Sequence, residues 1–290
     1  DNIEAAITPK TKVIMPVDIS GFPCDYDEIM NCVKKHSSIF VPSNEKQKKL
    51  GRILIAADSA HSFGATYKKK RSGSFTDISC FSFHAVKNLT TAEGGAVCFN
   101  LPEVFDHEEI YKEFVTITLH GQSKDALAKT KKGAWKYDVI TPGYKCNMTD
   151  IQAAIGLVEL DRYSENLARR KEIFDAYDTA FSKKKWALLP PHQTSDKKSS
   201  HHLYLLRIKD ISEAQRDEII QEIFDQSVSV NVHFQPLPLL TAYKNLGYDI
   251  NDFPIAYHKY QTEASLPVYY NLDAAQVQQV VTAVINSVEK

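Results

Sequence analysis

The sequence predicts an α/β protein with a large domain on a mostly parallel sheet and a smaller C-terminal α/β domain. Three observations carry that reading. Short apolar runs at 11–17, 52–57, 78–83 and 96–99 are separated by polar turns and segments of helical periodicity. A second strand–helix series runs from His202 to the C-terminus. The 290 residues are 43% hydrophobic and 24% charged, ordinary values for a globular chain long enough to hold two domains. The division falls in a long helical stretch, giving domains of 1–170 and 171–290.

In order, Thr11 to Val17 reads as a buried strand, and Asp25 caps a helix with Ile29, Cys32 and Val33 on one face. His36 to Leu50 is polar and lysine-rich and reads as an exposed loop. Arg52 to Ala57 reads as a fully buried strand ending at Asp58. Ile78, Cys80, Phe81 and Phe83 mark the next strand, and Ala96 to Phe99 another, with Lys87 and the pair Gly94-Gly95 between them. Pro102 to Phe114 reads as a helix with proline and acidic residues at its start. The stretch 122–136, with five lysines, reads as a surface loop that either borders a site or is merely solvated.

Gly143 to Asp150 introduces a long helix whose pattern continues to about Phe181. Pro190-Pro191 breaks the chain before a strand at His202–Ile208 and a helix at Ser212–Gln226. Val228, Val230, Val232 and Phe234 alternate as a half-buried strand does. Asp273 caps a last helix with Val277, Val280, Val281, Val284 and Ile285 on its core face. His201-His202 has no third ligand at metal-binding spacing, and a structural role is expected.

The chemistry concentrates at two strand ends. Ligands of open α/β sheets collect at the carboxyl ends of strands, which puts Asp58 in position, although an aspartate there also serves as a turn or helix cap. A lysine framed by two buried strands is shielded from water, and burial favours its neutral, nucleophilic form. On spacing alone, a solvated lysine at a strand end fits Lys87 as well. Together the two residues form the pair a pyridoxal phosphate enzyme needs: lysine for covalent attachment, aspartate for the pyridinium nitrogen.

The residues then carry a resemblance. Asp58-Ser59-Ala60-His61-Ser62-Phe63-Gly64-Ala65, Gly73-Ser74-Phe75, and Phe81-Ser82-Phe83-His84-Ala85-Val86-Lys87-Asn88 with Glu93-Gly94-Gly95 resemble the DegT/StrS-type sugar aminotransferases. Within that family the UDP-4-amino-4-deoxy-L-arabinose aminotransferase group matches best. The resemblance spans nearly the whole chain and implies the fold-type-I, aspartate aminotransferase-like architecture. It also implies that roughly the first third of a typical member is missing, with the turn that cradles the cofactor phosphate.

The resemblance assigns roles. Lys87 holds pyridoxal 5′-phosphate and moves protons, Asp58 pairs with the ring nitrogen, and Ser82 donates to the phosphate. His61 lies against the ring, with a packed histidine in a turn as the alternative. The turn after Gly143 crosses a homodimer interface to the neighbour's phosphate. Members commonly place Asn two residues after the Gly and a basic residue two further on. Here Lys145 and Asn147 stand the other way round, so which one reaches the phosphate stays open.

The implied reaction moves an amino group from glutamate, leaving 2-oxoglutarate, to a nucleotide-linked 4-keto sugar for surface-glycan biosynthesis. A dehydratase of the same family, with His in place of the lysine, is one alternative. A truncated chain that completes a site only with a partner is another. A net charge of −1 without a basic face argues against nucleic acid. No apolar run reaches membrane-spanning length. The five cysteines at 24, 32, 80, 98 and 146 form no Cys-x-x-Cys pair, which fits a cytoplasmic protein.

Overall fold

The computed structural model describes residues 2–123 and 136–290. The chain divides into two compact units. The first comprises 1–17, 24–60 and 73–160, and the second 18–23, 61–72 and 161–290.

The first unit is organised on a four-stranded sheet of β1 (Val13–Ile14), β2 (Leu54–Asp58), β3 (Ile78–Ser82) and β4 (Gly95–Phe99), in that spatial order. β1 and β3 both run parallel to β2, with Asp58 beside Cys80, while β4 pairs antiparallel to β3 from Ile78↔Phe99 to Ser82↔Gly95. In β2 Ile55 and Ala57 are buried, Leu54 and Ala56 are half-buried, and Asp58 is exposed. The run expected to be buried on both faces is therefore buried on one. β4 departs further: Val97 is 42% exposed and Cys98 is exposed, so Lys87 is framed by one packed strand and one open strand. An apolar run records which residues prefer to be covered, not whether anything covers them.

Helix α1 (Tyr26–Lys35) buries Ile29 and Val33 as the pattern predicts, together with Tyr26, while Cys32, expected on the same face, is half-buried. Residues 36–50 differ from the expected loop, because Glu45–Leu50 forms a short helix. Asn44 Oδ1 caps it by accepting the Gln47 N–H at 2.9 Å, and Gly51 ends it at φ 71°. Its sequence has no apolar period, so only the cap and the glycine announce it. α2 (His107–Thr118) starts later than expected, at the residue where the Asp106 carboxylate accepts the N–H groups of Glu108 and Glu109 at 2.9 and 3.2 Å. α3 spans Asp150–Asp161.

The second unit packs α4 (Tyr163–Phe181), α5 (Glu213–Asp225) and α6 (Ala274–Val288) around an antiparallel sheet of Ala187–Leu188, Tyr204–Ile208 and Glu263–Leu266. Ile173, Phe174, Tyr177 and Phe181 of α4 meet Tyr204, Leu206, Val280 and Val284 in its core. Capping boxes at Ser212/Gln215 and Asp273/Gln276 start α5 and α6. The alternating segment 228–234 buries Val228 and Val230 but, among the described residues, pairs only at the bridge Asn231↔Ser265, and Phe234 is 55% exposed. Its period reports burial of one side, while the Glu263–Leu266 ladder is formed with Tyr204–Arg207.

Candidate active site

Two parallel strands must end at the same level for Asp58 and the Lys87 region to meet, and a buried ion pair sets that register. Asp77, just before β3, is 3% exposed and accepts both ends of the Arg52 guanidinium at 2.6 and 2.7 Å. The same carboxylate accepts the Ile55 N–H at 2.9 Å, tying it into β2. At the other end Asp58 N–H donates to Pro16 O and Ser59 N–H to Cys80 O, each at 2.9 Å. Asp58 Oδ1 accepts the Ala60 N–H at 3.0 Å, which orients the carboxylate.

Lys87 is half-buried. Burial lowers its pKa below the ordinary lysine value, and the Asp58 carboxylate opposes that shift. The amine therefore feels the charge of the Asp58 carboxylate at the end of the sheet. The Lys87 loop is closed at its base: Phe83 N–H donates to Gly94 O at 2.8 Å and Thr91 N–H to Phe83 O at 2.9 Å. Gly94 is needed there, since a Cβ would lie 2.3 Å from Thr91 Oγ1. Ser82 Oγ accepts the His84 N–H at 3.3 Å at the mouth of the loop.

The turn with Lys145 and Asn147 is held on the end of α2. Tyr144 N–H donates to Ile117 O at 2.7 Å, and Cys146 N–H to Thr118 O at 3.0 Å. Gly143 allows this approach, because a Cβ would meet Gly121 N at 2.4 Å. Lys145 Nζ donates to Asn147 Oδ1, and both side chains are exposed. α3 follows with its own capping pair, Thr149 and Gln152.

Asp58, Ser82, Lys87, Lys145 and Asn147 thus lie in one unit. His61 belongs to the other, where it is buried, its Nδ1 accepts the Ser20 N–H at 3.2 Å, and its ring centre lies 4.3 Å from that of His202. Of the loop expected at 122–136, residues 124–135 lie outside the described residues.

The model of the DegT/DnrJ/EryC1/StrS aminotransferase family matches residues 1–285. The chain belongs to that family. Bacillus subtilis SpsC, a spore coat polysaccharide biosynthesis protein, is 36% identical over 286 residues, 97% of this chain and 68% of its own length. A Campylobacter jejuni UDP-4-amino-4,6-dideoxy-N-acetyl-β-L-altrosamine transaminase is 31% identical, covering 96% of this chain and 66% of that protein. Among solved structures, Streptococcus pneumoniae Spr1654, assigned as a sugar aminotransferase and seen in its PMP form, superposes with TM-score 0.95. It is 48% identical and covers 99% of this chain and 72% of that one. PseC of Helicobacter pylori, an aminotransferase of pseudoaminic acid biosynthesis, has TM-score 0.81 at 28% identity over 99% of this chain and 69% of that one. The family accounts for the α/β fold and for an aminotransferase active site.

A pyridoxal group asks for an amine that can be neutral and a fixed carboxylate, both at the same sheet end. This family member presents that donor set in Lys87 and Asp58. Sequence reasoning missed Thr91 and Gln152, which brace the lysine loop. For Gln152 a signal existed: Thr149-Asp150-Ile151-Gln152 is the Thr-x-x-Gln pattern of a helix start. For Thr91 there was none, since its burial at 1% depends on contacts between distant segments.

Proposed function

We propose that this chain transfers an amino group from glutamate to a nucleotide-linked 4-keto sugar, with pyridoxal phosphate attached at Lys87. The observation that carries the reading is the half-buried Lys87 amine, its pKa lowered by burial, coupled to Asp58 at the ends of β2 and β3. The sugar substrate is supported by the transaminase named in Campylobacter jejuni, and the cofactor by the PLP and PMP forms of the Streptococcus pneumoniae structure.

When bound, the cofactor supplies a carbonyl that amines can occupy and a ring that takes up the electron pair left on a deprotonated carbon. Lys87 Nζ, partly desolvated, is neutral more often than a surface lysine and so attaches more readily. Once displaced, the same amine carries a proton to or from the substrate carbon. Asp58 Oδ1 is engaged by Ala60, leaving Oδ2 to hold a protonated ring nitrogen. Ser82 Oγ, which accepts the His84 N–H, would donate to the phosphate. The exposed Lys145 and Asn147 serve a second copy of the chain in a homodimer. Its five cysteines stand as thiols, in keeping with a cytoplasmic setting.

The test is a two-stage assay on the 290-residue chain and Lys87→Ala. Glutamate alone converts bound cofactor to the amine form, and a UDP-linked 4-keto sugar returns it, giving ping-pong kinetics. Lys87→Ala loses covalent attachment and turnover by several orders of magnitude. Normal transamination by Lys87→Ala overturns the assignment, and release of water from the sugar without net amination makes the protein a dehydratase.

A further inference from the structure

We infer that Gln152 is a positioning residue that locks the loop bearing Lys87 to the turn bearing Lys145 and Asn147. The inference rests on the reading of Lys87 given above. The Gln152 carboxamide faces two ways. Its Oε1 accepts from both the N–H and the Oγ1 of Thr149 at 2.9 Å, closing the helix start that follows Asn147. Its Nε2 donates to Glu93 O at 2.8 Å, on the Lys87 loop. The same carbonyl accepts Thr91 Oγ1 at 2.9 Å, and Thr91 is bonded in turn to the loop base at Phe83.

A second contact lies one turn further along α3. A Cβ on Gly156 would fall 2.8 Å from Thr91 Cγ2, so the bare glycine lets the helix lie close against the buried threonine. Residues four apart share a helix face, so Gln152 and Gly156 present a single surface to the loop. The primary amide offers an acceptor to the helix start and, from a separate atom, a donor to the loop carbonyl. A carboxylate of the same shape keeps the first and loses the second. The loop's closure governs how far water reaches Lys87, and hence the burial that lowers its pKa.

The experiment uses the 290-residue chain without added cofactor. Hydrogen exchange is followed by mass spectrometry in peptides covering 83–94. The pH dependence of Lys87 acylation is followed by peptide mapping. Gln152→Glu, which retains the bond to Thr149, is expected to speed exchange in the loop about fivefold, the effect of one neutral hydrogen bond. It also moves the Lys87 midpoint up towards that of an ordinary lysine, with the circular dichroism of the chain unchanged. Thr149→Ala removes the other anchor and is expected to speed the same loop peptides to a lesser degree. Unchanged exchange and midpoint in Gln152→Glu overturn the proposal, as does a Thr149→Ala variant that loosens only the start of α3. If Gln152→Glu does not fold, Thr149→Ala alone decides. A failure of the Lys87 reading shows separately, as retained transamination in Lys87→Ala.

Discussion

Asp77 gives the most direct test of how the site is held together. Replacing it with alanine removes two charge-assisted bonds to Arg52, at 2.6 and 2.7 Å, and the acceptor of the Ile55 N–H at 2.9 Å. The Arg52 side chain, 17% exposed, keeps one bond to Ile53 O but loses its counter-charge. Breaking a buried pair from one side costs about 3–5 kcal/mol. Because the guanidinium retains some access to water, the lower end, about 3 kcal/mol, is expected. Asp77→Asn keeps an acceptor and loses only the charge, and about 1–2 kcal/mol is expected.

Two-unit chains do not guarantee two-state unfolding, so the assay is native-state hydrogen exchange at Ile55 and Ala57, with Leu206 in the second unit as internal reference. A loss of about 3 kcal/mol makes the β2 amides of Asp77→Ala exchange roughly a hundredfold faster. The Leu206 amide stays as in the parent. Exchange at Ile55 within about threefold of the parent would refute the idea that this pair sets the register of β2. Since β2 ends in Asp58, the same variant loosens the Asp58–Lys87 coupling.

Two further outcomes are expected. Asp58 raises the Lys87 pKa against the lowering effect of burial. Asp58→Asn therefore moves the midpoint of Lys87 acylation further down in pH, and an unchanged midpoint would show that the two groups do not interact. In the second unit, burial pushes Glu263 up to about 7 from an ordinary 4.5, against hydrogen bonds from Ser265 and the His233 N–H and the charge of Arg216. Its contribution to stability is full below 4.5 and lost as pH rises through 7. Burial, reinforced by His192, Lys198 and Lys171 against Asp175, holds His201 down to about 3 from 6.5. Its contribution is full above 6.5 and lost as pH falls towards 3. Between 4.5 and 6.5 the two slopes oppose each other. Glu263→Gln is expected to unmask the histidine, with a loss of up to about 1.4 kcal/mol per pH unit on acidification. Denaturant midpoints read by Trp186 fluorescence in a Trp135→Phe background at pH 5 and 6.5 check this, and equal midpoints in the Glu263→Gln variant would contradict it.

The sequence by itself determined the main elements and the places where chemistry could sit. Asp58 and Lys87 stood out as candidates because a strand end followed by polar residues is a local pattern, although that pattern alone left a solvated lysine equally open and only the family resemblance gave Lys87 its role. The starts of α5 and α6 were legible because a cap and its first turn are neighbours in the chain. Even the unexpected helix at Glu45–Leu50 was written locally, in Asn44 and Gly51, though with Leu50 as its one apolar residue it shows no apolar period. Tertiary structure alone decided the rest. Whether β4 is covered depends on what packs against it, and the apolar run Ala96–Phe99 would read the same either way. The alternation of 228–234 could not reveal that Glu263–Leu266 forms its ladder with Tyr204–Arg207 and meets that segment through the backbone bridge Asn231↔Ser265 and the contacts of His233. Nor could any periodicity bring the Gln152 carboxamide to the carbonyl of Glu93. Such contacts join residues far apart in the chain, and their free energy comes from partners that a local pattern does not contain.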